Sequence, residues 1–532
     1  MVISPLFYGT IAACAQYHVK SPRFQAKPDE LSVAKCNRPS RLRFATPCPS
    51  PGRERRSGEE NLTQVAAGAP LAGTGHGYGS PGYRNYVLLM LTFVYTLNFI
   101  DRILIGVVAE PIIKEFALSD TQFSLLSGPG FAIFYTLAGI PIARLAERYN
   151  RVRLIAISVI VWSVMTALCG VANGFIALLA FRIGVGIGEA GCTPPANSII
   201  ADYFPPRKRA RALAIFALGV TLGGLLANLF GGPIAKYLSW RDAFLLLGLP
   251  GIIVGIVVWM SIKEPPRGFS EEGVAVKAEA PGLGETMKSL MGNRTFWFNT
   301  AAATIVAFVG YGVNAFQSPF FIRVYGLDVG YVAIWIAVPL ALCAALGTFF
   351  FGFATERLSP RYNNVVAWLP AVGLLIAVLF YVMAFNAQSL ALAFPLMAIA
   401  AFCHYGYLGA QYTICQAVVD VRSRATALAI MLFIINLIGY GLGPPTIGIL
   451  SDWFAQGHIA ASGFANELTL TACKGADALK LLGEAKAAVG AEATGQGLRS
   501  SMSTVILLFG LAALCFFAAS RTLGRDLVSK LH

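Results

Sequence analysis

From Tyr86 onward the chain alternates long apolar runs with short polar breaks, and no other feature constrains the fold as much. Crossing a hydrocarbon core of about 30 Å takes roughly 20 helical residues, each advancing about 1.5 Å. Twelve runs reach that length, near residues 86–113, 121–143, 153–173, 175–201, 211–236, 241–262, 297–323, 330–354, 362–385, 388–415, 425–451 and 501–523. Lipid offers no hydrogen bonds to the backbone, so each run must satisfy its own amides as a helix. The sequence therefore predicts an all-α integral membrane protein of twelve transmembrane helices. Of its 532 residues 56% are hydrophobic and only 13% charged, against about 25% charged in a soluble domain.

The distribution of charge orients the chain. Lysine and arginine total 41 against 27 acids, a surplus that by itself fits nucleic acid, an acidic partner or a membrane face. The basic residues cluster in short breaks, as in Arg148, Arg151 and Arg153 or Arg207, Lys208, Arg209 and Arg211. That is the pattern of cytoplasmic membrane loops, so membrane lipids and not nucleic acid are the expected surroundings. Arg144 to Arg153, Arg207 to Arg211, Lys263 to Arg294, Arg357 to Arg361 and Arg422 to Arg424 all fall on one side if both termini are cytoplasmic. A bacterial inner or plasma membrane is the expected host.

The ten cysteines form no CxxC pair and no Cys/His metal spacing. Neither a phosphate-binding P-loop, nor a His-Glu-x-x-His zinc site, nor a Gly-x-Ser-x-Gly elbow occurs. The expectation is a non-enzyme without cofactor or metal.

Residues 1–83 are rich in Pro, Gly, Ser and Arg without sustained periodicity and read as disordered. A first six-helix half is expected at 84–262, a cytoplasmic linker at 263–296, a second half at 297–524 with a long non-cytoplasmic loop at 452–500, and a tail at 525–532. Two echoes support the division. Leu145-Ala146-Glu147-Arg148 recurs as Ala354-Thr355-Glu356-Arg357, and Ala212-Leu213-Ala214-Ile215 recurs as Ala427-Leu428-Ala429-Ile430, at closely similar spacing. An even number of helices separates the copies, so the halves share one orientation, as in two-half carriers with parallel repeats.

Ionisable residues inside apolar runs mark the candidate working parts. The first run holds Asn98, Asp101 and Arg102. The fourth reads Arg182-x-Gly184-x-Gly186-x-Gly188-Glu189, with small residues for close helix contact and two charges seven apart on one face. A structural ion pair and a functional site are both open readings. The loop Ala143-x-Leu145-Ala146-Glu147-Arg148-x-Asn150-Arg151 and its copy at Glu356 and Arg357 could latch the halves or simply set topology.

Together these motifs resemble the major facilitator superfamily, from its signature loop and its fourth-helix arginine motif. The run Asn98 to Arg102, Gly186 to Ala190, and Ala201-Asp202-Tyr203-Phe204-Pro205-Pro206 with Arg209 and Arg211 resembles its Spinster-like branch. The signature loop departs from the family pattern in having Ala143, Glu147 and Asn150 where that pattern has Gly, Asp and Gly. The resemblance implies the two-half fold, an alternating-access carrier acting as a monomer, and proton coupling through Asp101, Arg102, Arg182 and Glu189. Several members of that branch move lysolipids or sphingoid lipids, which makes a lipid-like substrate one expectation. Glu147, Arg148, Arg151, Glu356 and Arg357 are the expected gating residues.

Chemistry supports that assignment, because a carboxylate in a low-dielectric cavity changes its proton occupancy when a neighbouring guanidinium moves. Asp101 and Glu189 are the expected proton sites, with Arg102 and Arg182 tuning them or anchoring an anionic head group. In the second half Tyr311, Asn314 and Gln317, and then His404, Tyr407 and Gln411, recur at helical spacing. They are the candidate substrate-binding groups, with Asn98, Arg102 and Arg182 from the first half, although such stripes also serve as interhelical hydrogen bonds. The leading expectation is proton-driven transport of an amphiphilic lipid-like or organic anionic solute. A sugar-acid or carboxylate symporter and a non-transporting receptor are the alternatives.

Overall fold

The computed structural model describes residues 78–270, 283–362, 364–420, 423–464, 467–475 and 478–527. Most of the segment read as disordered, part of the expected linker, Arg422 and the last five residues lie outside them. Among the described residues there is no strand.

Among the described residues twelve helical spans are long and apolar enough to cross a membrane. They are α1 Pro81–Val107, α2 Asp120–Arg148, α3 Arg151–Cys169, α4 Phe175–Tyr203, α5 Arg211–Tyr237, α6 Trp240–Ser261, α7 Arg294–Tyr325, α8 Val329–Leu358, α9 Val365–Asn386, α10 Leu390–Ala417, α11 Thr426–Ala461 and α12 Glu484–Asp526. Local chemistry fixes the ends. Ser80 accepts the Tyr83 amide at 3.3 Å, with Pro81 in the first turn, to start α1. Ser119 and Gln122 form a capping box that starts α2.

Helix neighbours repeat between the halves. In the first, α1 packs on α5, α2 on α4 and α3 on α6; in the second, α7 packs on α11, α8 on α10 and α9 on α12. Small residues permit these approaches. A Cβ built on Gly186 of α4 would lie 2.7 Å from the Phe131 carbonyl oxygen of α2, and one on Gly223 of α5 would lie 2.5 Å from the Phe99 Cβ of α1. Gly347 and Gly443 meet the backbones of Phe402 and Phe308 at the corresponding contacts of the second half. The paired π-helical turns Ala227–Gly231 in α5 and Ile435–Tyr440 in α11 continue the symmetry.

The stretch 452–500 departs from its reading as a loop. Helix α11 continues to Ala461 and α12 begins at Glu484, with short helices Leu470–Lys474 and Ala478–Leu482 between them. The first turns of α12 are rich in Ala, Glu and Lys, good helix formers with too little apolar character to look like a span. They hold together by packing Gly490, Ala493, Gly497 and Leu498 into a buried face, Gly497 lying directly against Ser451 and Ala455 of α11.

Below, the end of the bundle where α6 joins α7 is called the linker side, and the end where α1 meets α2 the opposite side.

Candidate functional site

Helix α1 carries Asn98, Asp101 and Arg102 past its midpoint, and α4 brings Arg182 and Glu189 against them. Arg102 Nε donates to Glu189 Oε2 at 2.6 Å. The guanidinium carbon sits 4.4 Å from the Tyr135 ring centre, 4.9 Å from Phe131 and 5.1 Å from Phe99, within cation–π range of all three. Arg182 is wholly buried and donates Nη1 to the Asp101 carbonyl at 3.3 Å. All four expected proton-coupling residues thus come together, with Glu189 paired to the Arg102 guanidinium and Arg182 bonded to the backbone of Asp101.

Arg182 Nη2 is buried here without a hydrogen-bond partner, while Asn98 stands beside Glu189 and Thr166 beside Asp101. Leaving such a group unpaired away from water costs about 1–3 kcal/mol. The sequence has larger apolar residues in abundance, so an arrangement this polar signals a task other than packing.

Beside it lies a cavity of about 500 Å³ bounded by α1, α5, α7, α8, α9, α10 and α12. Asn314 and Gln317 from α7 and His404 from α10 line it, with Asn228, Thr348 and Tyr381 as further polar groups. Among the described residues no Asp, Glu, Lys or Arg side chain lines it. His404 is held between Phe509, 4.5 Å away, and Tyr405, 4.6 Å away.

The other three binding candidates of the second half are outside this lining, as are Asn98, Arg102 and Arg182 of the first. Tyr407 is buried and stacks on His404 at 5.9 Å, so it backs the wall. Gln411 is buried; its backbone carbonyl accepts from Asn299 of α7 at 3.0 Å, an interhelical contact that does not use its side chain, whose Oε1 has no hydrogen-bond partner. Tyr311 lies 4.5 Å from Tyr440, which in turn lies 5.4 Å from Phe131. Aromatic groups of both halves therefore meet near Arg102, an arrangement legible only once α2 and α11 are known to adjoin.

The two ends of the bundle differ. On the linker side Glu147, Arg148, Glu356 and Arg357 form no ion pair among the described residues. Arg151, expected to gate, is instead committed inside the first half. It is 1% exposed and bonds Asp202 at 2.6 Å, Glu264 at 2.6 Å and the Pro265 carbonyl at 2.8 Å. It thereby ties the starts of α3 and the linker to the end of α4.

The opposite side is closed by charges that sequence reading missed. Arg323 at the end of α7 bonds Glu110 at 2.8 Å and Asp120 at 3.0 Å, joining the halves. Lys236 of α5 pairs with Asp328, just before α8, at 3.1 Å. Asp328 is exposed, and the slight desolvation that works against its ionisation is outweighed by the Tyr331 amide and Lys236, which hold its carboxyl below the usual carboxylate range. The only sequence signal was charge at the ends of apolar runs, which normally marks a membrane boundary.

A spanning bundle of two matched halves, sealed at one end around a charged centre and a cavity, is the architecture of a secondary transporter. The major facilitator superfamily model matches residues 91–444. A solved bacterial homologue of the human lysosomal transporter Spinster, inward-facing and unoccupied, is 46% identical, covers 84% of this chain and 99% of its own, and superposes with a TM-score of 0.79. An MFS-type efflux pump of Mycolicibacterium smegmatis is 30% identical over 68% of this chain and 83% of its own length. A hexuronate transporter of Bacillus subtilis is 26% identical over 71% of this chain and 91% of its own. The chain belongs to the major facilitator superfamily, in its Spinster-like branch. It is an integral, multi-pass transporter and not an enzyme.

Proposed function

We propose that the protein is a proton-coupled, alternating-access carrier for an organic oxyanion with an apolar or uncharged polar remainder. The observation that carries this reading is the Arg102–Glu189 pair. A guanidinium can hold a carboxylate or a phosphate bidentately, but here Glu189 already occupies Nε. Protonating Glu189 weakens its hold and offers the fork to the substrate anion. By reciprocity, an anion on Arg102 favours a proton on Glu189. Asp101, Arg182 and Asn98 stand behind this exchange and set its local charge.

The cavity suits the rest of the molecule, because its wall is largely apolar and its polar groups are amides, hydroxyls and His404. Charged centre and neutral cavity adjoin along α1, where Ile103 of the lining follows Arg102. In this reading the linker side and both termini face the cytoplasm, following the basic short loops, and the protein acts as a monomer in a bacterial inner or plasma membrane. The solved homologue's inward-facing state supports taking the unlatched linker side as the open one.

Uptake by proteoliposomes under an imposed pH gradient tests the proposal, with lysophosphatidate and glucuronate as probes. Accumulation of either should require the gradient and should be lost in Asp101→Asn and Glu189→Gln. Gradient-independent accumulation that survives both substitutions would overturn proton coupling. Preference for glucuronate would favour a sugar-acid symporter, a second reading that the hexuronate transporter's similarity keeps open.

A further inference from the structure

We infer that Lys474, in the segment joining α11 to α12, pins the seal on the opposite side and sets how readily that side opens. The inference rests on alternating access but not on proton coupling. Lys474 is 5% exposed, and its Nζ lies 2.8 Å from Asp120 Oδ1 and 2.8 Å from Asp452 Oδ1. Asp120 belongs to the first half and Asp452 to the second. One ammonium therefore bridges carboxylates from both.

Several further contacts at this seam run between the halves. Asp120 also accepts from Ser451 at 2.6 Å and from Arg323. Asp452 accepts the Asp120 amide at 3.0 Å, the Thr121 amide at 2.8 Å and the Thr121 hydroxyl at 2.7 Å. It caps the start of α2 from the other half, where exposed amides and the helix dipole favour an anion. Opening this side must strip the α2 amides of that cap and separate Asp120 from both cations.

Charge accounting singles out Lys474 among these groups. Glu110, Asp120 and Asp452 supply three buried carboxylates, and Arg323 and Lys474 supply the buried cations facing them. Lys114 reaches only Glu110, at 3.8 Å, and is more than half exposed. Without Lys474, Asp120 and Asp452 confront each other with one fewer neutralising charge. Like charges at close range and an uncompensated buried anion both oppose the closed seam. Arg323, in contrast, could keep Glu110 and Asp120 paired.

Lys474 also comes from a part of the chain that otherwise reads as a connection. The helix Leu470–Lys474 is capped by Thr469, and Gly490 of α12 packs closely on Cys473. The helix Leu470–Lys474 therefore packs on the second half and carries its ammonium into the first, and on this ground we assign it to the gate.

Distances between spin labels at Leu238→Cys and Leu392→Cys test the inference in a cysteine-depleted full-length background. Both positions are exposed, at 64% and 52%, and lie on the opposite side in different halves. In detergent without a pH gradient, Lys474→Gln should add a longer-distance population, and Lys474→Arg should keep the wild-type distribution. The double variant Asp120→Asn with Lys474→Gln removes a charge of each sign and should be less shifted than Lys474→Gln alone. Wild-type distances in both the single and the double variant would overturn the role of Lys474. If Lys474→Gln does not yield folded protein, the double variant alone carries the test: a longer-distance population than wild type supports the pin and wild-type distances refute it.

Discussion

Arg102 Nε and Glu189 Oε2 lie 2.6 Å apart, joining the last third of α1 to the end of the small-residue stripe on α4. Glu189 is fully buried and Arg102 nearly so, with side-chain exposures of 0% and 12%. A buried pair of this kind is weak evidence for stability, because desolvation consumes most of its Coulombic gain. Its worth to a carrier lies in being breakable by one proton.

Arg102→Lys keeps the charge but loses the planar fork. Gradient-driven uptake should fall by roughly tenfold or more, since one lost bidentate contact is worth about 1.4 kcal/mol or above. Initial-rate measurements over substrate concentration should place the loss mainly in KM. An unchanged KM would detach Arg102 from the substrate.

Arg151 should behave as a structural residue. Arg151→Ala leaves Asp202 and Glu264 without their shared partner, a loss of about 3–5 kcal/mol for a broken buried pair. The melting temperature in detergent should drop clearly, whereas Glu147→Gln and Arg148→Gln should barely move it. Equal shifts in all three variants would return Arg151 to the gate.

Glycine contacts offer a packing test. Gly223→Ala puts a methyl 2.6 Å from the Thr96 carbonyl oxygen, while Gly352 has open space around it. Overpacking costs about 1–3 kcal/mol, so Gly223→Ala should lower thermal stability and Gly352→Ala should not. Parallel melting curves of the two variants read the difference.

Cavity residues should sort by position. Asn314→Leu and His404→Leu change the lining itself and should raise KM or shift preference between the two probes. Gln411→Leu acts behind the wall, where the α7–α10 hydrogen bond uses the Gln411 backbone carbonyl and survives the substitution, and should alter packing and hence stability but not selectivity. Transport kinetics and melting curves on the same preparations separate the two effects.

How far the sequence led depended on whether a residue's meaning was local. Apolar length is a property of one segment, so twelve spans were legible, and the convergence of Asp101, Arg102, Arg182 and Glu189 followed from embedded charges on two such segments. The polar start of α12 was not legible, because its helix is held by packing on α11 and not by hydropathy. Asp120, Arg323 and Lys474 were missed for a related reason. Each looks like an ordinary boundary charge until folding brings together residues more than a hundred positions apart. Arg151 misled in the opposite sense: it sits in a signature loop, but its guanidinium turns into its own half.

Proton flux accompanying substrate entry tests the central claim most directly. Proteoliposomes loaded with the pH dye pyranine and given the probe that is taken up should acidify inside as that probe enters. Glu189→Gln should carry the probe, if at all, without acidification. Probe entry with no acidification in the wild type, or an unchanged proton-to-probe ratio in Glu189→Gln, would contradict coupling at the Arg102–Glu189 pair.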